Sequence, residues 1–172
     1  MPHINPTLGP TLGPTLGPTI SPTLSLKGRA LKALAAREHS RVELERKLAS
    51  FEEEPGQLAK ILDELKGKGF IDEQRVAESL AYRRGAKLGT ARIVQELKAK
   101  GVDAQAVADT AAQLKASEFE RARAVWRKKF GAVASAPAEK AKHMRFLASR
   151  GFAPEVIRRA INAVGGVDGD DT

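Results

Sequence analysis

His3, His39 and His143 are the side chains best able to ligate a metal or move a proton, and their settings point away from both. His3 lies among Thr-Leu-Gly-Pro repeats, His39 directly precedes a helix-capping serine, and His143 sits in a strongly basic stretch. None has a second ligand one helical turn away, the spacing at which two side chains share one ion. There is no cysteine, which removes thiolate metal sites, thiol nucleophiles and disulfides. Gly67-Lys68-Gly69 lacks the flanking glycine and the Lys-Ser/Thr pair of a phosphate-binding loop. No Gly-x-Ser-x-Gly elbow occurs. Asp63 and Glu64 stand beside lysines, where a surface ion pair contributes only about 0.2–0.5 kcal/mol. No catalytic residue, metal ligand or cofactor is assigned, and a non-enzymatic protein is expected.

The chemistry that remains is cationic. The formal net charge is +8 and unevenly placed, with 11 basic and 4 acidic residues over 117–164 against 13 and 11 over 27–84. A basic third of this kind attracts polyanions or an acidic protein face. Arg123 and Arg127 lie one helical turn apart. Arg121 and Lys128 lie two turns apart, on a face away from the Phe119/Trp126 stripe, and Lys129 extends it. Lys142, Arg145 and Arg150 continue the charge, while Arg83, Arg84, Lys87 and Arg92 crowd one corner between helices. Arg92, Glu96 and Lys100 have the spacing of two external i,i+4 ion pairs. Together with Lys100, these cations form the candidate surface for a phosphate backbone or an acidic partner.

The elements that must position them are punctuated by one phrase. Leu65-Lys66-Gly67-Lys68-Gly69-Phe70, Leu97-Lys98-Ala99-Lys100-Gly101-Val102 and Leu147-Ala148-Ser149-Arg150-Gly151-Phe152 each end an apolar-periodic run in a basic residue, a glycine and an apolar residue. Glycine closes a helix in the left-handed conformation, and Lys or Arg suits the negative end of the helix dipole. Asp72 and Asp103 then cap new helices. Ile71 with Val76, Val102 with Val107, and Phe152 with Ile157 have hydrophobic-staple spacing, and Pro154 fits a first helical position. The first copy is displaced by one residue.

Helical periodicity and caps predict helices over 28–38, 41–50, 57–66, 73–84, 90–99, 104–115, 118–130, 137–150 and 154–163. Ser40-Arg41-Val42-Glu43 reads as a capping box for the second. Leu31, Leu34 and Ala35 are expected inward, as are Phe51 and, on the eighth helix, Met144, Leu147 and Ala148. Phe119, Ala122, Trp126 and Phe130 read as core. The fold class is all-α, with tandem three-helix repeats over 27–70, 71–116 and 117–164 in an elongated, curved array. Residues 1–26, with Thr7-Leu8-Gly9-Pro10 repeated, are expected to be a disordered tail, and 165–172 a flexible acidic one. No apolar run is long enough to span a bilayer and there is no secretory core, so a cytoplasmic location without membrane contact is expected.

Taken in order, these blocks resemble the RecX family of bacterial regulatory proteins. Arg37, His39, Ser40, Glu43, Leu44, Lys47 and Leu48 resemble its R-x-H-S-x-x-E-L-x-x-K-L stretch. Residues Gly69 to Ala77 resemble its G-(F/Y)-(I/L)-D-(D/E)-x-R-F-A segment, with Val76 where an aromatic is usual. Lys87, Gly89, Arg92, Ile93, Glu96, Leu97, Lys100 and Gly101 resemble K-x-G-x-x-R-I-x-x-E-L-x-x-K-G, and Phe146 to Phe152 is a looser match. The likeness covers about 27–163. It implies a protein that binds the RecA recombinase and its nucleoprotein filament on single-stranded DNA; a monomer is expected, with double-stranded DNA a further candidate ligand. It also implies inhibition of ATP hydrolysis, strand exchange and co-protease activity, and offers no catalytic residues. The residues alone leave open a helical nucleic-acid-binding protein without a recombinase partner.

Overall fold

Each of the three repeated phrases folds as the same helix terminator. Gly69, Gly101 and Gly151 have φ of 76°, 70° and 84°. Each glycine N–H donates to the carbonyl three residues back. The N–H of the following Phe70, Val102 or Phe152 donates to that of Leu65, Leu97 or Leu147, at 2.9, 3.2 and 3.3 Å. This is the Schellman pairing, which satisfies two of the carbonyls a helix end leaves free.

The computed structural model describes residues 24–163; the expected disordered N-terminal tail falls outside them except for residues 24–26, and the acidic tail entirely. Among the described residues there are nine α-helices and no strand: α1 (Leu26–Ala36), α2 (Arg41–Leu48), α3 (Gln57–Gly67), α4 (Glu73–Gly85), α5 (Thr90–Ala99), α6 (Ala104–Ala116), α7 (Glu118–Lys129), α8 (Pro137–Ser149) and α9 (Pro154–Asn162). The all-α expectation holds. Asp72 and Asp103 cap α4 and α6 by accepting from Arg75 and Ala106, and the Ser40/Glu43 capping box opens α2. Helix α1 starts earlier than its apolar pattern shows, because the Ser25 hydroxyl accepts from Gly28 N. It stops at Ala36, where Arg37 turns extended.

Three apolar clusters hold the helices in sets of three. Leu44, Leu62 and Leu65 centre the first, Ala77, Ile93 and Leu97 the second, and Trp126, Leu147 and Ala160 the third. Trp126 is core, at 1% exposure. Four inward assignments fail. Ala35 and Ala148 are exposed, and so are Phe51, under the Arg29 guanidinium, and Met144. On α8 the buried stripe is His143 and Leu147, one residue earlier than periodicity indicates. His143 is drawn in because its ring stacks on Phe130 at 3.7 Å and its Nδ1 accepts from Trp126 Nε1 at 3.2 Å.

The first phrase differs from the others in place as well as register. Gly101 and Gly151 turn the chain between the second and third helices of a unit, whereas Gly69 turns it between α3 and α4, from one unit to the next. The corresponding turn of the first unit is a wider one, a 3-10 turn over Ala49–Phe51 and then Gly56. The repeat is therefore regular in the second and third units and loosened in the first.

Units join by one recurring device. The N-terminus of the second helix in one unit sits on the glycine corner of the next unit, beside the first residue of that unit's first helix. At the first junction the Ser40 hydroxyl donates to the Lys100 carbonyl, and Arg41 N donates to Glu73 Oε1 at 3.3 Å. At the second, Gly89 N donates to the Arg150 carbonyl at 2.8 Å, Ala91 N to Gly151 O at 3.2 Å, and Thr90 N to Glu118 Oε1 at 3.0 Å. Glu73 and Glu118 are both buried. An anion at a helix N-terminus satisfies orphan N–H groups and suits the dipole. Burial pushes Glu73 above the ordinary carboxylate range, and the Arg41 and Asp103 N–H groups only partly oppose it.

Two consequences are testable. A Cβ on Gly89 would lie 2.2 Å from the Gly151 carbonyl, whereas one on Gly69 would meet nothing within 4 Å. Gly89→Ala is thus expected to cost at least about 3 kcal/mol by overpacking a rigid junction, and Gly69→Ala only the left-handed strain of about 1–2 kcal/mol. Urea unfolding of both variants reads the difference, and the reverse order would remove the junction from its place in stability. The second concerns Glu43. Burial would raise its pKa, but the Lys100 ammonium, the Ser40 N–H and Arg37 outweigh burial and hold it at about 2, against 4.5 unperturbed. Because the folded pKa is depressed, its contribution is complete above pH 4.5 and disappears as pH falls toward 2. Glu43→Gln is expected to cost about 1.5–3 kcal/mol at pH 7, with the gap from the parent protein closing across that acid window in chemical denaturation.

Candidate nucleic-acid interface

The second junction carries a groove on its outer side. It has a volume of about 580 Å³ and is bounded by the α4–α5 turn, α7 and α8. Lys87, Lys128, Lys129 and Arg150 supply its charge, while Ala86, Ala124, Val125 and Phe146 give it an apolar floor. The helices place these residues for simple reasons. On α7, Ala124, Val125, Lys128 and Lys129 fall on one side at i, i+1, i+4 and i+5, with Val125 at the inner edge of that side, where it joins the core beside Trp126. On α8, Lys142, Phe146 and Arg150 repeat at i,i+4, so an exposed cation, a half-buried ring and a second cation follow one line. Lys87 follows α4, in the turn whose N–H bonds return to the Arg84 carbonyl.

Arg150 is the most constrained of the four. It donates to the Lys87 carbonyl at 3.2 Å and lies 4.5 Å from the Phe146 ring centroid, which fixes its plane. Among the described residues, Lys87, Lys128 and Lys129 have no carboxylate within 4 Å. Their charge is therefore not neutralised from within. Four converging cations over an apolar floor can hold phosphate groups while leaving room for a base or a sugar.

Not every cation named from the sequence is available. Arg121 is committed to the second junction, where its guanidinium donates to the Gly85, Leu88 and Leu114 carbonyls and to Thr90 Oγ1, the last two at 3.0 and 3.1 Å. Burial lowers its pKa and the Glu118 charge opposes that. Lys100 is likewise held at the first junction by Glu43. Arg84 pairs with Glu96 at 3.1 Å. The expected external Arg92–Glu96–Lys100 ladder does not form, because Glu96 pairs with Arg84 of another helix and Lys100 with Glu43 of another unit. Arg92 itself is exposed, with its Cβ seated against the Gly151 corner. Arg83 is exposed on α4, and Arg127, Lys142 and Arg145 remain exposed on α7 and α8.

Arg123 belongs to a second, separate patch. Its guanidinium lies 5.6 Å from the Phe119 ring, with Arg159 on the same ring at 4.6 Å. Arg158 and Arg159 line a shallow depression beside it. Neither was among the sequence candidates, although they are adjacent cations on the exposed side of an amphipathic helix. Phe146 and the alanines of the groove floor were also missed, since alone they read as ordinary helix residues. His39 is not among the residues that line the groove. It is buried, its Nδ1 donates to the Arg37 carbonyl at 3.0 Å, and burial pushes its pKa below the usual value. Among the described residues no group of three or more His, Cys, Asp or Glu could hold a metal, and no helix is long and apolar enough to cross a membrane.

The fold and this surface define an all-α protein of tandem three-helix units with a basic groove at a unit junction. Family models for the second and third three-helix domains of RecX match residues 72–110 and 116–161. The regulatory protein RecX of Leptothrix cholodnii is 48% identical over 137 residues, covering 80% of this chain and 87% of that protein. The regulatory protein RecX of Ralstonia nicotianae is 45% identical over 149 residues, covering 86% and 94%. The crystal structure of RecX from Lactobacillus salivarius superposes with a TM-score of 0.70 at 21% identity, over 81% of this chain and 94% of that one, a likeness of fold. The chain belongs to the RecX family of regulatory proteins.

The division of the cations into structural and free ones has a direct test. Arg121→Ala leaves several buried carbonyls without a donor and is expected to destabilise by about 2–4 kcal/mol. Lys128→Ala and Lys129→Ala are expected to stay within about 0.5 kcal/mol. Thermal and urea unfolding of the three variants would show equal effects if the groove lysines were structural too.

Proposed function

We propose that this protein is a non-enzymatic regulator that binds the RecA recombinase and its single-stranded-DNA filament. Bound there, it inhibits ATP hydrolysis, strand exchange and co-protease activity. The observation that carries the reading, in a chain of this family, is the convergence of Lys87, Lys128, Lys129 and Arg150 on one groove across two units. Cations fixed at a rigid junction meet a phosphate backbone without ordering a loop, so less conformational entropy is lost on binding. A tandem array also offers several surfaces at once, and joined weak contacts gain by effective concentration. Inhibition then requires tighter binding to one filament state than to another, since equal binding shifts no population.

RecA ATP hydrolysis on single-stranded DNA, with this protein titrated in at two salt concentrations, tests the reading. Inhibition by the parent protein is expected, and the double variant Lys128→Glu/Lys129→Glu is expected to inhibit on the order of tenfold less well at low salt. On bare single strands its log–log salt slope should be shallower by about 1.4, two phosphate contacts at about 0.7 each. Binding to bare DNA without any effect on RecA turnover would overturn the recombinase reading in favour of a general nucleic-acid binder. A salt-insensitive interaction would remove phosphate contact from the mechanism.

A further inference from the structure

Tyr82 leaves 89% of its surface open, more than any other large hydrophobic side chain among the described residues. Its hydroxyl makes no hydrogen bond to any of them, and its ring adds nothing to the second apolar cluster. A ring this exposed contributes little to folding. On α4 it shares a helix face with the edge of the basic groove. Ala86, which lines that groove, is four residues on, and helical backbone geometry continues through it. Tyr82 therefore stands one turn from the groove edge, about 5.4 Å along the axis, the scale that separates a nucleotide's phosphate from its base. Arg83 lies beside it, its Nε donating to the Ser79 carbonyl at 3.2 Å and its guanidinium held along the helix.

We infer that Tyr82 is a stacking platform for an unpaired base of the strand whose phosphates lie in the Lys87/Lys128/Lys129/Arg150 groove. The chemistry is selective for single strands. An unpaired base presents a free π-face and can turn onto an exposed ring, whereas a base within a duplex is already stacked on its neighbours. Every base has such a face, so the contact adds affinity without sequence preference. Arg83, next in the chain, and Lys87, which lines the groove, supply positive charge. The inference rests on the groove being a single-strand site, and it assigns to that site a preference for unpaired nucleobases.

The test compares the full-length parent protein with Tyr82→Ala, Tyr82→Phe and Lys128→Glu/Lys129→Glu. Probes are an oligothymidylate, the same backbone made abasic, and a duplex of equal length. Tyr82→Ala is expected to bind the oligothymidylate about 5- to 50-fold more weakly and to match the parent on the abasic strand and the duplex. Tyr82→Phe, which keeps the ring, is expected to match the parent on all three. An exposed helical position accepts alanine, so circular dichroism should be unchanged. Equal binding of the oligothymidylate by Tyr82→Ala and parent, with the lysine variant weakened, overturns the stacking role and leaves the groove standing. An unweakened lysine variant overturns the groove reading itself. Normal single-strand affinity with reduced RecA inhibition in Tyr82→Ala would assign the ring to a protein contact and overturn the inference.

Discussion

The structure depends on a helix N-terminus buried against the next unit. Three short helices enclose only a small apolar cluster, so the units gain by docking on one another. Docking buries backbone groups that water would otherwise satisfy, and each must find a partner. The solution used at both junctions sets N–H groups at the start of α2 and α5 against a buried glutamate, Glu73 or Glu118, and seats the cap residue on a glycine corner. Glycine is needed there for two reasons at once. The left-handed turn requires it, and at Gly151 any Cβ would enter the Arg92 backbone at 2.7 Å. Helix α8 holds the corresponding place in the third unit but begins at Pro137, which has no N–H to offer such a carboxylate.

That constraint sorts the charge. A chain with a net charge of +8 must keep most of its cations in water, yet the junctions recruit a few because buried carbonyls and carboxylates call for donors. Arg121 and Lys100 are recruited, and Arg150 is recruited in part, by way of the Lys87 carbonyl. The cations left over are those whose helical positions point outward between two docked units. The groove is thus a by-product of docking, since its walls belong to the second and third units and neither forms it alone. A binding surface of this origin is only as well ordered as the junction beneath it, which couples the stability of Gly89, Glu118 and Arg121 to the geometry of the lysines. A fixed array of charge also presents a polyanion with a defined geometry that the same charges on a loose chain would not.

The sequence by itself determined the helices and their ends. Schellman glycines, aspartate caps, a capping box and staple pairs act over three to six residues, so the information is contiguous in the chain. Boundaries fell within a few residues of the caps, the apolar stripes of most helices were legible, and Trp126 was recognisably core. The family resemblance was legible for the same reason, because its blocks are these capped corners in order. What only the tertiary structure decided was which polar groups meet across the units. Ser40 and Lys100 are 60 residues apart, and Arg121 reaches back 31 to Thr90. A cation at i+4 from a carboxylate looks like its partner in a sequence, yet Glu96 chose Arg84 and Lys100 chose Glu43 once helices were docked. His143 took the inward place expected of Met144 because its ring stacks on Phe130 and its nitrogen accepts from Trp126. Local caps are set by backbone geometry that every short segment carries, while the division of thirteen candidate cations into internal struts and exposed charges is set by desolvation, which exists only after the units close on one another.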